Sequence, residues 1–174
     1  MKKILLFITL IVLFAALEAN SSDESPFAKK HGIFVNSFSK AEKIILYKGL
    51  PRSSFDENVF KNELKSKKTV KLHGYYFYND PKNLNTVDIK QLQDVYVTPN
   101  GFVAFRGEKF CGGFHPNYAI EWHLNNKVYR ALICFGCKEM KSFGPMIELR
   151  CDIGDTTFRK FEDTLNSIWT QPSV

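Results

Sequence analysis

Four residues of this chain combine side-chain types and spacings that support chemistry: Cys111, His115, Cys134 and Cys137, set in C-G-G-F-H and C-F-G-C. Thiolates and imidazoles ligate Zn²⁺, thiols pair as disulfides, and a low-pKa thiolate performs exchange chemistry. C-x3-H followed by C-x2-C supplies a Cys3His set that a tetrahedral Zn²⁺ accepts. The two-residue gap lets both sulfurs of C-F-G-C reach one ion, and Gly136 eases the turn. The expectation is a metal site formed by Cys111, His115, Cys134 and Cys137, with Zn²⁺ in a structural role. A second expectation competes with it. A fourth cysteine, Cys151, makes the number even, and an exported chain oxidises an even set. Four cysteines allow three connectivities. Cys111–Cys151 with Cys134–Cys137 satisfies all of them, as does Cys137–Cys151 with Cys111–Cys134, and one disulfide beside a smaller site is a mixed case. His115 is then an ordinary hydrogen-bonding residue. Redox and haem chemistry fit less well. A thioredoxin-type C-x-x-C opens a helix, whereas this one lies between two strand patterns. Covalent haem attachment needs C-x-x-C-H, and Lys138 stands in the fifth position.

The elements that position these residues follow from periodicity. Tyr118, Ile120, Trp122 and Leu124 alternate with Ala119, Glu121 and His123, a strand pattern. Asn125-Asn126 tolerates positive φ and makes a two-residue turn. That turn pairs Leu124 with Lys127, Trp122 with Tyr129, Glu121 with Arg130, Ala119 with Leu132 and Asn117 with Cys134. Extended further, the register sets His115 opposite Gly136, between the two sulfurs. A second hairpin turning at Gly144-Pro145 pairs Lys141 with Glu148 and Glu139 with Arg150, which brings Cys151 opposite Lys138, next to Cys137.

Upstream, a strand is expected over Ala41–Tyr47. A helix starts from the capping-box pattern Ser54–Glu57 with Phe60 and Leu64 on one face, and a strand over Thr69–Tyr78 contains His73 as a structural histidine. A helix capped at Thr86 points Ile89, Leu92 and Tyr96 inward, and a strand follows over Gly101–Arg106. The closing helix runs from about Thr156 to Trp169, capped by Asp155. These patterns predict an α+β fold, an antiparallel β-hairpin sheet packed against two or three short helices.

The beginning of the chain speaks to location. Lys2 and Lys3 precede an apolar run from Ile4 to Leu17, broken by Thr9 and followed by Ala19. The run is shorter than the roughly 20 residues a membrane helix needs. Residues 1–19 are expected to be a signal peptide, 20–38 a flexible leader and 39–174 a single domain, exported to the periplasm or secreted, with no membrane span after cleavage. Sixteen Phe, seven Tyr and two Trp supply a core. The net charge is +6, but the lysines alternate with acidic residues, a solvated surface that disfavours nucleic acid as a partner. Arg106 and Gly107, just before the cluster, could place a cation near the thiolates, but a surface arginine is the preferred reading. No G-x-S-x-G, P-loop, dinucleotide glycines, H-E-x-x-H or defensible carboxylate pair occurs, so the reading leans away from an enzyme.

Three stretches carry a resemblance: R-G-E-K-F-C-G-G-F-H-P-N-Y-A-I-E-W, Y-R-A-L-I-C-F-G-C-K-E and F-G-P-M-I-E-L-R-C-D-I. With L-Y-K-G-L-P-R and K-K-T-V-K-L-H-G-Y-Y-F-Y upstream, they resemble a group of secreted bacterial proteins of unknown function that share a Cys, a nearby His-Pro and an I-C-F-x-C hairpin. The resemblance spans about Glu42 to Ile153. It implies an exported domain built around the Cys/His hairpin, and no activity or catalytic residue. The resulting expectation is an exported small domain whose Cys/His cluster binds a metal ion. The alternative is a disulfide-stabilised binding or inhibitor-like module without metal. The partner stays open, a protein of the cell envelope being one candidate.

Overall fold

The structure, a computed structural model, describes residues 25–51, 57–107 and 109–171. The expected signal peptide and most of the Ser54–Glu57 capping box lie outside the described residues. In chain order the elements are α1 (Pro26–Ser39), β1 (Lys43–Lys48), α2 (Glu57–Ser66), β2 (Thr69–Leu72), β3 (Tyr75–Tyr78), β4 (Lys82–Asn83) and α3 (Thr86–Tyr96). They continue with β5 (Phe102–Ala104), β6 (Tyr118–Leu124), β7 (Lys127–Cys134), β8 (Glu139–Gly144), β9 (Ile147–Ile153) and α4 (Asp155–Thr170). Seven strands form one antiparallel sheet in the order β4-β1-β6-β7-β8-β9-β5, and β2 pairs with β3 in a separate hairpin. The fold is α+β, as the hairpin and helix patterns predict.

The sheet is covered on both faces. Tyr118, Ile120 and Trp122 of β6 point to the helical side, where they meet Phe34 and Phe38 of α1, Leu92 and Tyr96 of α3, and Phe161, Leu165 and Ile168 of α4. Trp122 stacks on its cross-strand neighbour Tyr129, with centroids 5.6 Å apart. Its indole N–H donates to Ser37 Oγ at 3.0 Å, and that hydroxyl donates to Phe34 O at 2.8 Å. The opposite face carries a smaller cluster of Ala119 and Leu132 under Leu72 and Phe77 of the β2–β3 hairpin.

The first hairpin has the register its turn dictates: Leu124 with Lys127, Trp122 with Tyr129, Glu121 with Arg130 and Ala119 with Leu132. Asn125 and Asn126 both take positive φ. The second hairpin is shifted by two residues from expectation, pairing Lys141 with Arg150, Phe143 with Glu148 and Gly144 with Ile147. The turn is centred on Pro145-Met146. Proline fixes φ at the first central position and Met146, at φ 60, takes the second, a type II pattern. Gly144 is a strand residue needed for packing, since a Cβ there would stand 2.7 Å from the Tyr129 ring. A slip of two keeps every side chain on its face. Glu139 and Arg150 therefore still meet, diagonally, at 2.8 Å.

Three further expectations are corrected. Residues 26–38, assigned by composition to a flexible leader, form most of α1, capped by Ser25 with Pro26 in its first turn and with Phe34 and Phe38 fully buried. The stretch 69–78 is not one strand, because His73 and Gly74, both at positive φ, turn it back on itself. Two helix caps lie one residue earlier than expected, at Asn85 and Gly154.

Candidate functional site

The Cys/His residues gather where β6 begins and β7 ends. Gly49, just past β1, donates to Asn117 O at 2.8 Å, and a Cβ on it would run into the Pro116 carbonyl. That close approach fixes the His115-Pro116 segment. Asn117 then clamps the end of β7: its N–H donates to Ile133 O and its Oδ1 accepts from Phe135 N–H, both at 2.8 Å.

His115 does lie beside the C-F-G-C hairpin end. Its backbone N–H points at Cys134 Sγ, 3.4 Å away, and its ring Nε2 is 2.8 Å from Leu50 O. A carbonyl only accepts, so Nε2 carries the proton, and Nδ1 is the acceptor of the neutral ring. Cys111 and Cys137 form a disulfide with Cα atoms 5.7 Å apart. Gly112 and Gly113, at φ 74 and 90, swing the incoming loop so that Cys111 arrives over Cys137. Cys134 and Cys151 are buried free thiols.

The four expected ligands are therefore adjacent without forming one donor set. Two of the sulfurs are bonded to each other, and the His115 ring is turned to a backbone carbonyl. Among the described residues no group of three or more His, Cys, Asp or Glu converges on a metal position. Neither expected disulfide pattern occurs: Cys111 pairs with Cys137, and Cys134 and Cys151 stay as thiols. Cys151 is not next to Cys137. The two-residue slip sets it opposite Met140, on the helical face of the sheet, with Sγ 3.7 Å from Met140 O. Burial pushes its thiol up to about 12.

A charge network escaped sequence reasoning. Lys109, just before Cys111, lies 2.7 Å from Cys137 O, 3.0 Å from Asp152 Oδ1 and 3.9 Å from Glu139 Oε1. Arg150 holds the other side of Glu139 and stacks on Phe105, 3.6 Å from the ring centroid. Glu139 is 1% exposed, so it relies on these cations in place of water. The cation beside the disulfide is Lys109, while Arg106 contributes its backbone N–H to Asp152 Oδ2. The Glu139–Arg150 pair was the one visible trace of this network.

The other histidines are structural. His73 stacks on Phe143 at 3.7 Å, and His123 joins Arg130 around Glu121 at 2.9 and 2.6 Å. His31 packs between Phe27 and Phe102.

Beside the Cys/His corner opens a cleft of about 520 Å³, walled by Leu50, Pro51, His115, Asn117, Cys134 and Phe135 among others. Its size falls within the ordinary range of small-molecule pockets.

No family model matches the chain, and no curated protein matches it. A solved structure from Clostridium perfringens, described only as a candidate lipoprotein, aligns over 83% of this chain and 97% of its own, with 14% identity and a TM-score of 0.45.

Proposed function

We propose that this protein is an exported, disulfide-stapled binding module, and that its Cys/His corner is a clasp shaping a ligand cleft. One observation carries the reading: Cys111, Cys137 and His115 are all engaged in holding loops together. Cys111 and Cys137 are bonded to each other, the His115 ring holds the Leu50 carbonyl, and the His115 amide points at Cys134. Export is supported by the basic and apolar N-terminal pattern and by the disulfide itself, which persists in oxidising compartments.

The test is a thiol and metal inventory of protein isolated from the cell envelope or medium. Peptide mapping should find a Cys111–Cys137 cross-link. Alkylation in denaturant should label Cys134 and Cys151 alone. One zinc per chain with all four cysteines alkylatable would defeat the proposal in favour of the Cys3His site.

A further inference from the structure

The cleft beside the clasp runs into a second depression of about 690 Å³, the two sharing Lys48 and Tyr78. The shared residues make the two depressions one groove. From its lining we infer that the groove binds an acidic oligosaccharide. This rests on the binding-module reading and adds the class of ligand.

The donors are set in place beforehand. The Asn117 oxygen accepts from the Phe135 backbone N–H, which can only donate, so the Asn117 NH₂ must turn away from it. Asn166 Oδ1 accepts from Tyr118 OH at 3.0 Å. Both residues are exposed and line the inner cleft, and among the described residues neither NH₂ has an acceptor. Lys48 stands 5.8 Å over the Trp169 ring, with no carboxylate in ion-pair reach among the described residues. No Asp or Glu is among the described residues lining the inner cleft. A charged group entering there should therefore be an anion. Trp169, half-buried, lines the outer depression beneath Lys48, together with Lys67, Lys68, Asp80 and Glu63, whose carboxylate accepts from Tyr78 OH at 3.0 Å.

Fixed amides suit vicinal hydroxyls, the Lys48 ammonium suits a carboxylate, and a Lys48 drawn from over Trp169 onto that carboxylate would leave the indole for the C–H face of a pyranose ring. An extended peptide is the less suitable occupant. The bordering strands β1 and β7 each have two strand neighbours, and β3 is paired with β2 on one side and bridged to the Gly49-Leu50 segment on the other, so none offers a free edge there for strand addition.

The experiment uses the full mature chain and its own fluorescence. The protein has two tryptophans, and Trp122 is fully buried, so a change on binding reports on Trp169. Hexagalacturonate should change the emission saturably. Lys48→Met and Asn166→Asp should each weaken binding about tenfold or more, the loss expected for a charge-assisted contact. Asn166→Asp keeps the acceptor for Tyr118 while replacing the amide donor. Lys90→Met, which removes a lysine from exposed α3 surface, should bind as the parent does. The inference is overturned if hexagalacturonate gives no saturable change, if maltohexaose or a hexaglutamate peptide binds equally well, or if Lys48→Met binds as tightly as the parent. The cross-link map separates the two levels. An intact Cys111–Cys137 bond without uronate binding removes the ligand assignment alone, whereas absence of that bond removes the module reading as well.

Discussion

The Cys151 thiol sits among apolar side chains, and its ionisation is held back from an ordinary 9.0 up to about 12. The unfolded chain gives up this proton first. Above pH 9 the native state then binds more protons than the unfolded state, and stability falls as pH rises, by up to about 1.4 kcal/mol per unit. Cys151→Ala should flatten that slope between pH 9 and 10 in urea titrations, below the range where Tyr96, also raised by burial, begins to add its own. The same burial should leave Cys151 unreactive toward a disulfide reagent at pH 8 until denaturant is added. His31 works in the opposite direction. Burial lowers its pKa, and its Nε2 has no hydrogen-bond partner among the described residues. The unfolded state takes up the proton first as pH drops below about 6.5, so stability is lost toward acid. His31→Phe should reduce that acid slope, again read from urea midpoints.

At the scale of elements, α1 and the β1–β6 contact do the positioning. Phe34→Ala should cost about 3–5 kcal/mol, because it empties a site fully enclosed by Trp122, Tyr129 and their neighbours. Gly49→Ala forces a methyl against the Pro116 carbonyl, and should cost about 1–3 kcal/mol while loosening the segment that carries His115. Thermal melts check both. These two elements also mark how far the chain's own pattern could be read. The β6–β7 register was legible because turn, apolar alternation and the Glu121–Arg130 pair all agree. The β8–β9 register was not, because Glu139 and Arg150 attract one another equally well from a diagonal, and Gly144 serves a neighbouring ring and not the turn. α1 was hidden by its polar surface, although Phe27, His31, Phe34 and Phe38 already keep helical spacing behind Ser25-Pro26. At the site, the gathering of Cys111, His115, Cys134 and Cys137 was legible from hairpin geometry. The choice of partner was not, since it depends on how Gly112 and Gly113 aim a loop that has no periodicity.

For the molecule as a whole, the disulfide closes a loop between positions 26 residues apart, which constrains the unfolded chain by about 3–4 kcal/mol. Reduction, or Cys111→Ser, should lower the melting temperature by about 6–15 °C for a domain of this size, as calorimetry with and without reductant would show. The two variants Cys111→Ser and Cys137→Ser should match each other and the reduced parent.

The leftover sulfur at position 134 has a consequence for biogenesis. It lies three positions from Cys137, far nearer along the chain than the partner Cys137 actually takes, so a nascent chain meets the wrong partner first. Only a formed β6–β7 hairpin, with the His115 amide laid against that sulfur, hides it from oxidant. Correct pairing is therefore expected to be most efficient when the strands assemble before cross-linking. A chain oxidised too early would need an isomerase to escape, and yield in a host lacking one should rise when position 134 is changed to serine.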